Sequence, residues 1–288
     1  MFREEFKRLM KSKMSVIILI LLVVSAVSFF MSYSEKQMFV EQLNNDFSAD
    51  LNRTALTDLV NGYTGLKFLF DFWFNSDFSQ ISMFILYVWA GIFLSPVLAV
   101  QKENGFGNMI MIRKNYRYVA LTVLGAQSLY IFVILAVTTV LQVLLSFIFG
   151  GFGAYVSIGE YQLNFASAVL VIFIQTIIMT IYTVLANGIA LFFSTIINNK
   201  YIIQALPLLI FALLPMLMAS TVGNLSSLFA GIVIYFEPNN VVNIISNVFQ
   251  SSFDSTEIFY NIIPSIVYVV VLVFLFVVDT RKNSRNYI

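Results

Sequence analysis

Long uncharged apolar stretches dominate the hydropathy pattern of this chain, and shorter polar segments separate them. A bilayer core about 30 Å thick needs roughly 20 apolar residues in a helix, and six windows reach that length. None of the six contains Asp, Glu, Lys or Arg. The pattern therefore predicts an all-α integral membrane protein with six transmembrane helices. The windows are residues 14–31, 81–100, 118–149, 165–197, 201–219 and 258–278.

A soluble bundle of buried helices is the alternative explanation of this pattern. Such helices would carry charged residues on their outer faces with a period of about 3.6 residues. Residues 161–199 contain no charged side chain, so the sequence argues against a soluble core. Windows 118–149 and 165–197 are long enough to measure about 45 Å as helices. We expect both to tilt in the bilayer or to project beyond it.

The charged residues between the windows indicate the orientation. Thirteen of the 16 Lys and Arg residues fall in the N-terminal segment, the second-to-third and fourth-to-fifth connections, and the C-terminal tail. Eleven of the 15 acidic residues fall in the other segments. The positive-inside rule then predicts that both termini are cytoplasmic.

This orientation yields the predicted domain organisation. Residues 1–13 form an interfacial helix, residues 14–278 a single six-helix transmembrane domain, and residues 279–288 a cytoplasmic tail. The first apolar run lacks a small-residue cleavage site, so we expect it to stay as an uncleaved span. The remaining segments are the outer ones, 33–79, 150–164 and 220–257, and the cytoplasmic loops, 101–117 and 198–200.

Composition narrows the possible chemistry. The chain of 288 residues is 59% hydrophobic and 11% charged, whereas soluble domains average about 25% charged. It has no Cys and no His, which excludes disulfides, thiolate and imidazole metal ligands, and Cys or His catalysis. A net charge of +1 indicates no nucleic-acid partner. We predict no catalytic residue and no metal or cofactor in this chain. Heavy use of Phe, Ile and Asn favours a low-GC Gram-positive bacterial source. The six apolar windows then predict a location in the cell membrane of that bacterium.

The N-terminal segment has the pattern of an amphipathic helix. Phe2, Phe6, Leu9 and Met10 share one stripe, and charged residues fill the rest. Such a helix lies in the membrane interface with its apolar face toward lipid. It is either a topogenic flank for the first span or an elbow that also touches a cytoplasmic partner, and the residues do not decide between these.

The second-to-third connection carries an apolar stripe of its own. Gly105 and Gly107 end the preceding helix, and Phe106, Met109 and Ile110 then share one face. The basic residues Arg113, Lys114 and Arg117 follow the stripe. An apolar stripe on a cytoplasmic loop is costly unless lipid or protein covers it. The loop is either an interfacial turn packed on lipid or a docking knob for a soluble subunit.

This layout resembles the permease subunit of a type-2 class ABC exporter, of the kind that exports drugs, peptides or bacteriocins. In that family a Glu, a Gly, apolar residues and a basic-ended turn follow the second span, as Glu103, Gly105, Met109, Ile110 and Arg117 do here. The Glu-Pro-led apolar segment at residues 237–242 is a second likeness. The family's Pro-Ser-Arg turn is replaced here by Asn-Tyr-Arg, at residues 115–117.

The resemblance implies a division of labour between subunits. A separate ATPase subunit, in two copies, would bind ATP and Mg²⁺, because this chain has no phosphate-loop motif. A second copy of the permease, or a related permease, would complete the membrane part. The implied ATPase-coupling residues are Glu103, Gly105, Phe106, Met109, Ile110, Arg113, Lys114 and Arg117. The second and fifth spans line the path in that family, which makes Tyr87, Gln204 and Phe211 the expected pathway residues.

Other functions stay open at this point. The chain is either such an exporter of a hydrophobic or amphipathic cargo (peptide, antibiotic or lipid-like), or a non-transporting immunity or sensor-type membrane protein that binds through its outer loops. The uncharged polar residues within the spans either bond across helices or contact cargo. An ion-coupled carrier is disfavoured because no ionisable residue lies mid-span. The polar residues are Gln127, Gln142, Gln175, Asn187 and Gln204.

Overall fold

In the computed structural model, about 91% of the described residues are helical. Four described helices are long and apolar enough, by length and composition, to cross a membrane, which agrees with the predicted all-α membrane fold. The residues that the structure describes are 2–11, 14–45, 57–58, 60–103, 116–153, 155–158, 161–193, 197, 199–213, 217 and 255–285.

The described residues contain nine labelled α-helices. Two π-helical turns, Asp71–Asn75 and Leu209–Leu213, continue α3 and α8. The helices are α1 Phe2–Met10, α2 Met14–Asn45, α3 Gly65–Phe70, α4 Asp77–Phe93, α5 Val97–Glu103, α6 Tyr116–Gly150, α7 Phe165–Phe193, α8 Lys200–Leu208 and α9 Ser255–Arg285.

The four membrane-length helices correspond to the first four predicted windows. The fifth window begins with α8, which with its π-turn makes a shorter apolar helix, Lys200–Phe211. The sixth window lies within α9, a helix of 31 residues.

Helix α2 runs well past the predicted end of the first span at residue 31. The prediction counted apolar residues only, whereas residues 32–45 are mostly polar and contain neither Gly nor Pro. Residues of this kind have adequate helix propensity, so nothing stops the helix where its apolar stretch ends. Apolar residues recur every four positions from Leu43 to Leu59, which predicts an amphipathic helix over residues 41–60 of the outer segment. The extension of α2 takes in residues 41–45 of that helix, and residues 46–56 and 59 lie outside the described residues.

The second predicted window is not one continuous helix. A turn at residues 94–96 separates α4 from α5. Pro96 has no N–H to donate to the carbonyl of Ile92, and its ring clashes with a regular helix at that level. Leu94 N makes a regular helical bond to the carbonyl of Ala90 at 2.9 Å, and Ser95 N donates to the same carbonyl at 3.0 Å, a bond across five residues that widens the last turn of α4 before the helix ends.

A short β-hairpin follows α6, where the sequence predicted only an outer segment. Its strands β1 Tyr155–Ile158 and β2 Tyr161–Asn164 are antiparallel, and Tyr155 pairs with Asn164. Strands of four residues are too short for the alternation of apolar and polar positions to stand out from a loop, so the pattern did not predict them.

Backbone segments meet closely beside this hairpin. Gly65 N donates to the carbonyl of Gly151 at 3.0 Å, and Gly151 has a positive φ of 72°. A Cβ on Gly150 would stand 2.4 Å from Gly65 N, so only glycine fits there. We call this region, residues 60–76 and 150–164, the hairpin end of the molecule.

The opposite end of α6 carries α1 and the last turns of α9. Helix α1 packs on α6, where a Cβ on Gly125 would lie 3.6 Å from the ring of Phe2. Tyr116, the first residue of α6, donates a hydrogen bond to Asp279 in α9 at 2.7 Å. We call this region, residues 2–11, 116–119 and 279–282, the terminal end.

Candidate functional site

The break between α4 and α5 releases backbone carbonyl groups inside the helix bundle. Pro96 cannot donate to the carbonyl of Ile92, which instead accepts a bond from Gln204 Nε2 at 3.4 Å. The carbonyl of Leu94, in the turn, accepts a bond from Gln127 Nε2 at 2.9 Å. Side chains of α8 and α6 therefore bond to backbone carbonyls at the break, and the carbonyl of Leu94 also accepts from Val97 N at 3.4 Å.

Three buried polar side chains join the break to α6 and α7. Asn187 Nδ2 donates to Gln127 Oε1 at 2.8 Å, and Ser95 Oγ donates to Asn187 Oδ1 at 3.1 Å. All three residues are fully buried. We call Ser95, Gln127 and Asn187 the polar junction. It places both amides in cross-helix hydrogen bonds, the first of the two roles considered for them.

Helices α4 and α8 approach each other very closely beside the break. A Cβ on Gly91 would stand 2.0 Å from the carbonyl oxygen of Gln204 and 3.4 Å from Cδ of Pro207. Backbone oxygen cannot move aside as the end of a flexible side chain can, so this contact requires glycine. The second and fifth predicted spans therefore meet backbone to backbone at Gly91.

A cluster of aromatic rings fills the interior next to this contact. The ring centroids of Tyr87 and Phe211 are 5.7 Å apart, those of Phe211 and Tyr268 4.8 Å, and those of Tyr268 and Tyr182 6.3 Å. We call these four residues the aromatic cluster, to which α4, the second π-turn, α9 and α7 each contribute one ring. Aromatic pairs at such separations contribute about 0.5–1.5 kcal/mol beyond the area they bury.

The backbone is irregular on both sides of this interface. Pro207 lies inside α8, and the π-helical turn Leu209–Leu213 follows directly and carries Phe211. A π-turn widens the helix by one residue, and such turns occur frequently at functional sites. Both α4 and α8 therefore depart from regular helix within a few residues of their contact.

The three predicted pathway residues come together at the α4–α8 interface. Tyr87 and Phe211 are in ring contact and both are fully buried, and Gln204 is bonded to the carbonyl of Ile92. Their role as pathway residues stays a prediction. Tyr87 and Phe211 are closed to solvent in this conformation, whereas Gln204 and Ile92 lie at an exposed edge of the interface.

Some buried polar atoms in the described part of the chain have no hydrogen-bond partner. They are Trp73 Nε1, Tyr87 Oη, Thr138 Oγ1 and Gln142 Oε1. Each such unpaired atom destabilises the folded state by about 1–3 kcal/mol. Another arrangement of the helices, or a bound water, would supply the missing hydrogen bond. Nearby, Thr139 and Thr176 pair across α6 and α7 at 2.9 Å.

The predicted interfacial stripe of α1 is divided between two environments. Leu9 is buried and Phe6 packs against the core, whereas Phe2 and Met10 are exposed. The rings of Phe2 and Phe6 stack with centroids 6.4 Å apart. Half of the stripe therefore attaches α1 to the bundle, and half is left for another apolar surface.

Most of the predicted coupling loop lies outside the described residues. Gly105, Phe106, Met109, Ile110, Arg113 and Lys114 belong to that part. Glu103 is the last residue of α5, and Arg117 is exposed in the first turn of α6. The structure thus places the two flanks of the loop but does not test its coupling role.

The bond between Tyr116 and Asp279 sits immediately after this loop. Both residues are buried, and the bond ties the start of α6 to the end of α9. The hydropathy and charge patterns did not predict this pair. The signal available was an acidic residue directly after the last apolar run, where burial forces a polar partner.

Outside the apolar helices, one phenol has a perturbed acidity. Burial, followed by the negative charges of Glu35 and Asp71, raises the pKa of Tyr63 at the hairpin end. Within the described ranges, no three acidic side chains are grouped as metal ligands. No family model, curated protein or solved structure matches the chain, so the geometry and the sequence alone bear on its function.

Proposed function

We propose that this chain is the transmembrane permease subunit of an ATP-driven exporter, which moves a hydrophobic or amphipathic cargo across the cell membrane of a low-GC Gram-positive bacterium. It has six spans and two cytoplasmic termini, and it works by alternating access as a dimer with itself or a related permease. Two ATPase subunits bind ATP and Mg²⁺ and hydrolyse ATP. The cargo is a peptide, an antibiotic or a lipid-like molecule.

The observation that carries the proposal is the close contact between α4, which ends at the break before Pro96, and α8, which contains Pro207 and continues into a π-turn. Gly91 packs on the backbone of Gln204, and Tyr87 and Phe211 close the interior beside it. Breaks at Pro96 and Pro207 give both helices segments that can tilt separately. A path that opens between α4 and α8 would separate the aromatic cluster, and polar atoms now unpaired would gain partners.

Charge supports an external energy source. The predicted spans contain no Asp, Glu, Lys or Arg, which proton- or sodium-coupled carriers keep within the membrane. The movement must then be driven from outside the bilayer. The loop at residues 104–115 and α1 both lie on the side that carries most basic residues, where a cytoplasmic ATPase would dock.

The decisive experiment is recovery of the chain from its own host with an affinity tag, followed by identification of bound proteins and assay of ATP hydrolysis. We expect an ATPase with a phosphate-loop motif to co-purify and to hydrolyse ATP in the complex. The double variant Phe106→Asp/Ile110→Asp should abolish co-purification. The matched control Asn108→Asp/Asn115→Asp adds the same charge to polar positions of the loop and should retain it. Normal recovery of the ATPase with the first variant would refute the docking role.

Topology has an independent test, because the chain contains no Cys and single cysteines can be labelled without a background. A membrane-impermeant maleimide should reach Arg113→Cys and Ile288→Cys only in inverted vesicles. It should reach Asp58→Cys and Ser157→Cys only in intact cells. Labelling of residue 113 or 288 from the cell exterior would overturn the orientation and the coupling proposal with it.

A second candidate function is supported by one observation, a charged cleft at the hairpin end that Glu35, Lys67 and Asp77 line. A non-transporting immunity or sensor-type protein would use such a cleft without any ATPase. Deletion of residues 41–60 would then abolish the cellular phenotype, and mutation of the loop at residues 104–115 would leave it unchanged.

A further inference from the structure

An open cleft lies at the hairpin end, between α2, the segment from Tyr63 to Asp71 and the start of α4. Its volume is about 440 Å³, which falls in the range of about 300–1,000 Å³ that small-molecule sites occupy. The cleft is separate from the aromatic cluster and from the α4–α8 contact, so the proposed transport path does not use it.

The charge of the cleft is predominantly negative. Three carboxylates, Glu35, Asp71 and Asp77, and one ammonium group, Lys67, line it. Lys67 Nζ is already paired with Asp71 Oδ1 at 2.8 Å. Lys36, the other nearby cation, donates to the carbonyl of Tyr63 at 2.9 Å and is not among the residues that line the cleft. Glu35 and Asp77 are exposed, so their negative charge faces an incoming ligand.

The floor of the cleft offers a hydroxyl group. Ser28 is only 4% exposed and lines the cleft. Ser25, one turn earlier on α2, donates to the carbonyls of Leu21 and Leu22. Ser28 has no such bond with the rest of the described chain. The Ser28 hydroxyl therefore opens on the cleft, where a polar atom of a ligand can bond to it.

The same cleft has apolar walls. Met31 and Phe78 line it together with the charged groups. The carboxylates are not grouped as a metal ligand set within the described residues, which disfavours a divalent ion. An anion is disfavoured by three carboxylates around one engaged lysine.

We infer that this cleft binds an organic cation, an alkyl or aralkyl amine or guanidine. The cationic group lies between Glu35 and Asp77, the apolar body contacts Met31 and Phe78, and a polar atom of the ligand reaches Ser28. Charge-assisted hydrogen bonds to carboxylates supply the specificity, and burial of the apolar body adds affinity. This assignment goes beyond the proposed function, since binding needs no ATPase and holds equally for a non-transporting protein.

The test uses the purified full-length chain in nanodiscs of uncharged phosphatidylcholine, with 4-phenylbutylammonium as the probe and calorimetry as the readout. 4-Phenylbutanol and 4-phenylbutyrate have the same apolar body without the positive charge. We expect saturable binding of the ammonium compound alone, at low ionic strength, where exposed charges are least screened.

Variants locate the site. Glu35→Gln/Asp77→Asn should weaken binding about tenfold, the equivalent of 1.4 kcal/mol. The matched control Glu41→Gln/Asp58→Asn removes two carboxylates from the same region that do not line the cleft, and it should bind as the parent does. Ser28→Ala should weaken binding by a smaller factor. Both double variants change exposed residues, so we expect them to fold as the parent does. Thermal unfolding checks that each variant stays folded.

Several results would overturn the assignment. Equal binding of 4-phenylbutanol would show that only the apolar walls matter. Equal weakening in both double variants would show a general surface attraction instead of a site. Displacement of the probe by millimolar Mg²⁺ but not by 0.1 M Na⁺ would show a site for metal ions. Failure to recruit an ATPase would refute the exporter proposal while leaving this binding intact, so the two failures are distinguishable.

Discussion

The polar junction and the cleft both gather polar side chains from three elements of the same chain, yet they differ in charge and in access. Ser95, Gln127 and Asn187 are uncharged and fully buried, and each is bonded to another member or to the broken helix. Glu35 and Asp77, in the cleft, are charged and exposed.

The difference follows from the solvent at each level of the molecule. Deep among apolar helices, a charged group costs several kcal/mol and an unpaired polar group costs nearly as much, so neutral groups in closed hydrogen bonds are favoured. At the hairpin end, water reaches the side chains and carboxylates can keep their charge. The polar junction therefore fixes the positions of the α4–α5 turn, α6 and α7 relative to one another. The charged side chains of the cleft stay accessible to a ligand.

The largest expected effect comes from breaking the α4–α8 contact beside the junction. Gly91→Ala would drive a methyl group into the carbonyl of Gln204 and should destabilise the protein by about 3 kcal/mol. Thermal unfolding in nanodiscs measures the loss. Gly125→Ala is the control, because its new methyl group meets only the ring of Phe2 at 3.6 Å. Equal melting temperatures for the two variants would contradict the backbone contact.

The junction itself is broken by Asn187→Leu. Leucine keeps the branching at Cγ but is larger, and it leaves Ser95 and Gln127 each without one partner, which together should cost about 2 kcal/mol. Thr138→Val is the comparison, because it removes a buried hydroxyl that has no partner in the described chain and should leave stability unchanged or raised. Unfolding midpoints that fall equally in both variants would show that the hydrogen bonds of the junction contribute nothing specific.

A third variant asks whether a buried polar bond at the terminal end behaves like those of the junction. Tyr116→Phe removes one donor from the buried Asp279 and should destabilise the protein by about 1 kcal/mol. Tyr118→Phe alters an exposed ring two residues along and should have no measurable effect. The comparison fails if the order of the two melting temperatures is reversed.

The smallest effect is expected at the cleft and appears only in alkali. Burial and the charges of Glu35 and Asp71 raise the pKa of Tyr63 in the folded state, whereas the unfolded phenol ionises near pH 10. The stabilisation from the protonated phenol is thus fully present below pH 10 and is lost as pH rises through the folded pKa.

Thermal unfolding between pH 8 and pH 11 tests this dependence. Tyr63→Phe should flatten the alkaline fall in stability, because phenylalanine has no phenol to ionise. If stability falls with pH equally in the parent and in Tyr63→Phe, the cleft carboxylates do not perturb the ionisation of Tyr63.

The helices were predictable because local composition specifies them. An uncharged run the width of a bilayer forms a helix whatever its neighbours are, so four windows correspond to four long helices. The predicted first span ends at residue 31, whereas α2 continues to Asn45. Helix formation does not require apolar residues, and residues 32–45 contain no helix breaker. The hairpin was missed because each of its strands has only four residues.

The site was predictable only in part, because its contacts join distant parts of the chain. Pro96 and Pro207 predict irregular helices. The local sequence does not predict that Gly91 contacts Gln204 or that Tyr116 bonds to Asp279. The family resemblance suggested Tyr87, Gln204 and Phe211 as a set, and the structure places them at one interface. The predicted coupling residues between 104 and 115 lie outside the described chain, so their role is unchanged as a prediction.

The broken helix at Pro96 also constrains the order of assembly during synthesis. Gln127, which donates to the carbonyl of Leu94, lies 33 residues later in the chain, and Asn187, which accepts from Ser95, lies 92 residues later. Until those residues are synthesised, the bend has only its local bonds, from Val97 N to the carbonyl of Leu94 at 3.4 Å and from Ser95 Oγ to the carbonyl of Ala90 at 3.3 Å. The hydrogen bonds that fix the bend against its neighbours therefore form only after α6 and α7 have been translated.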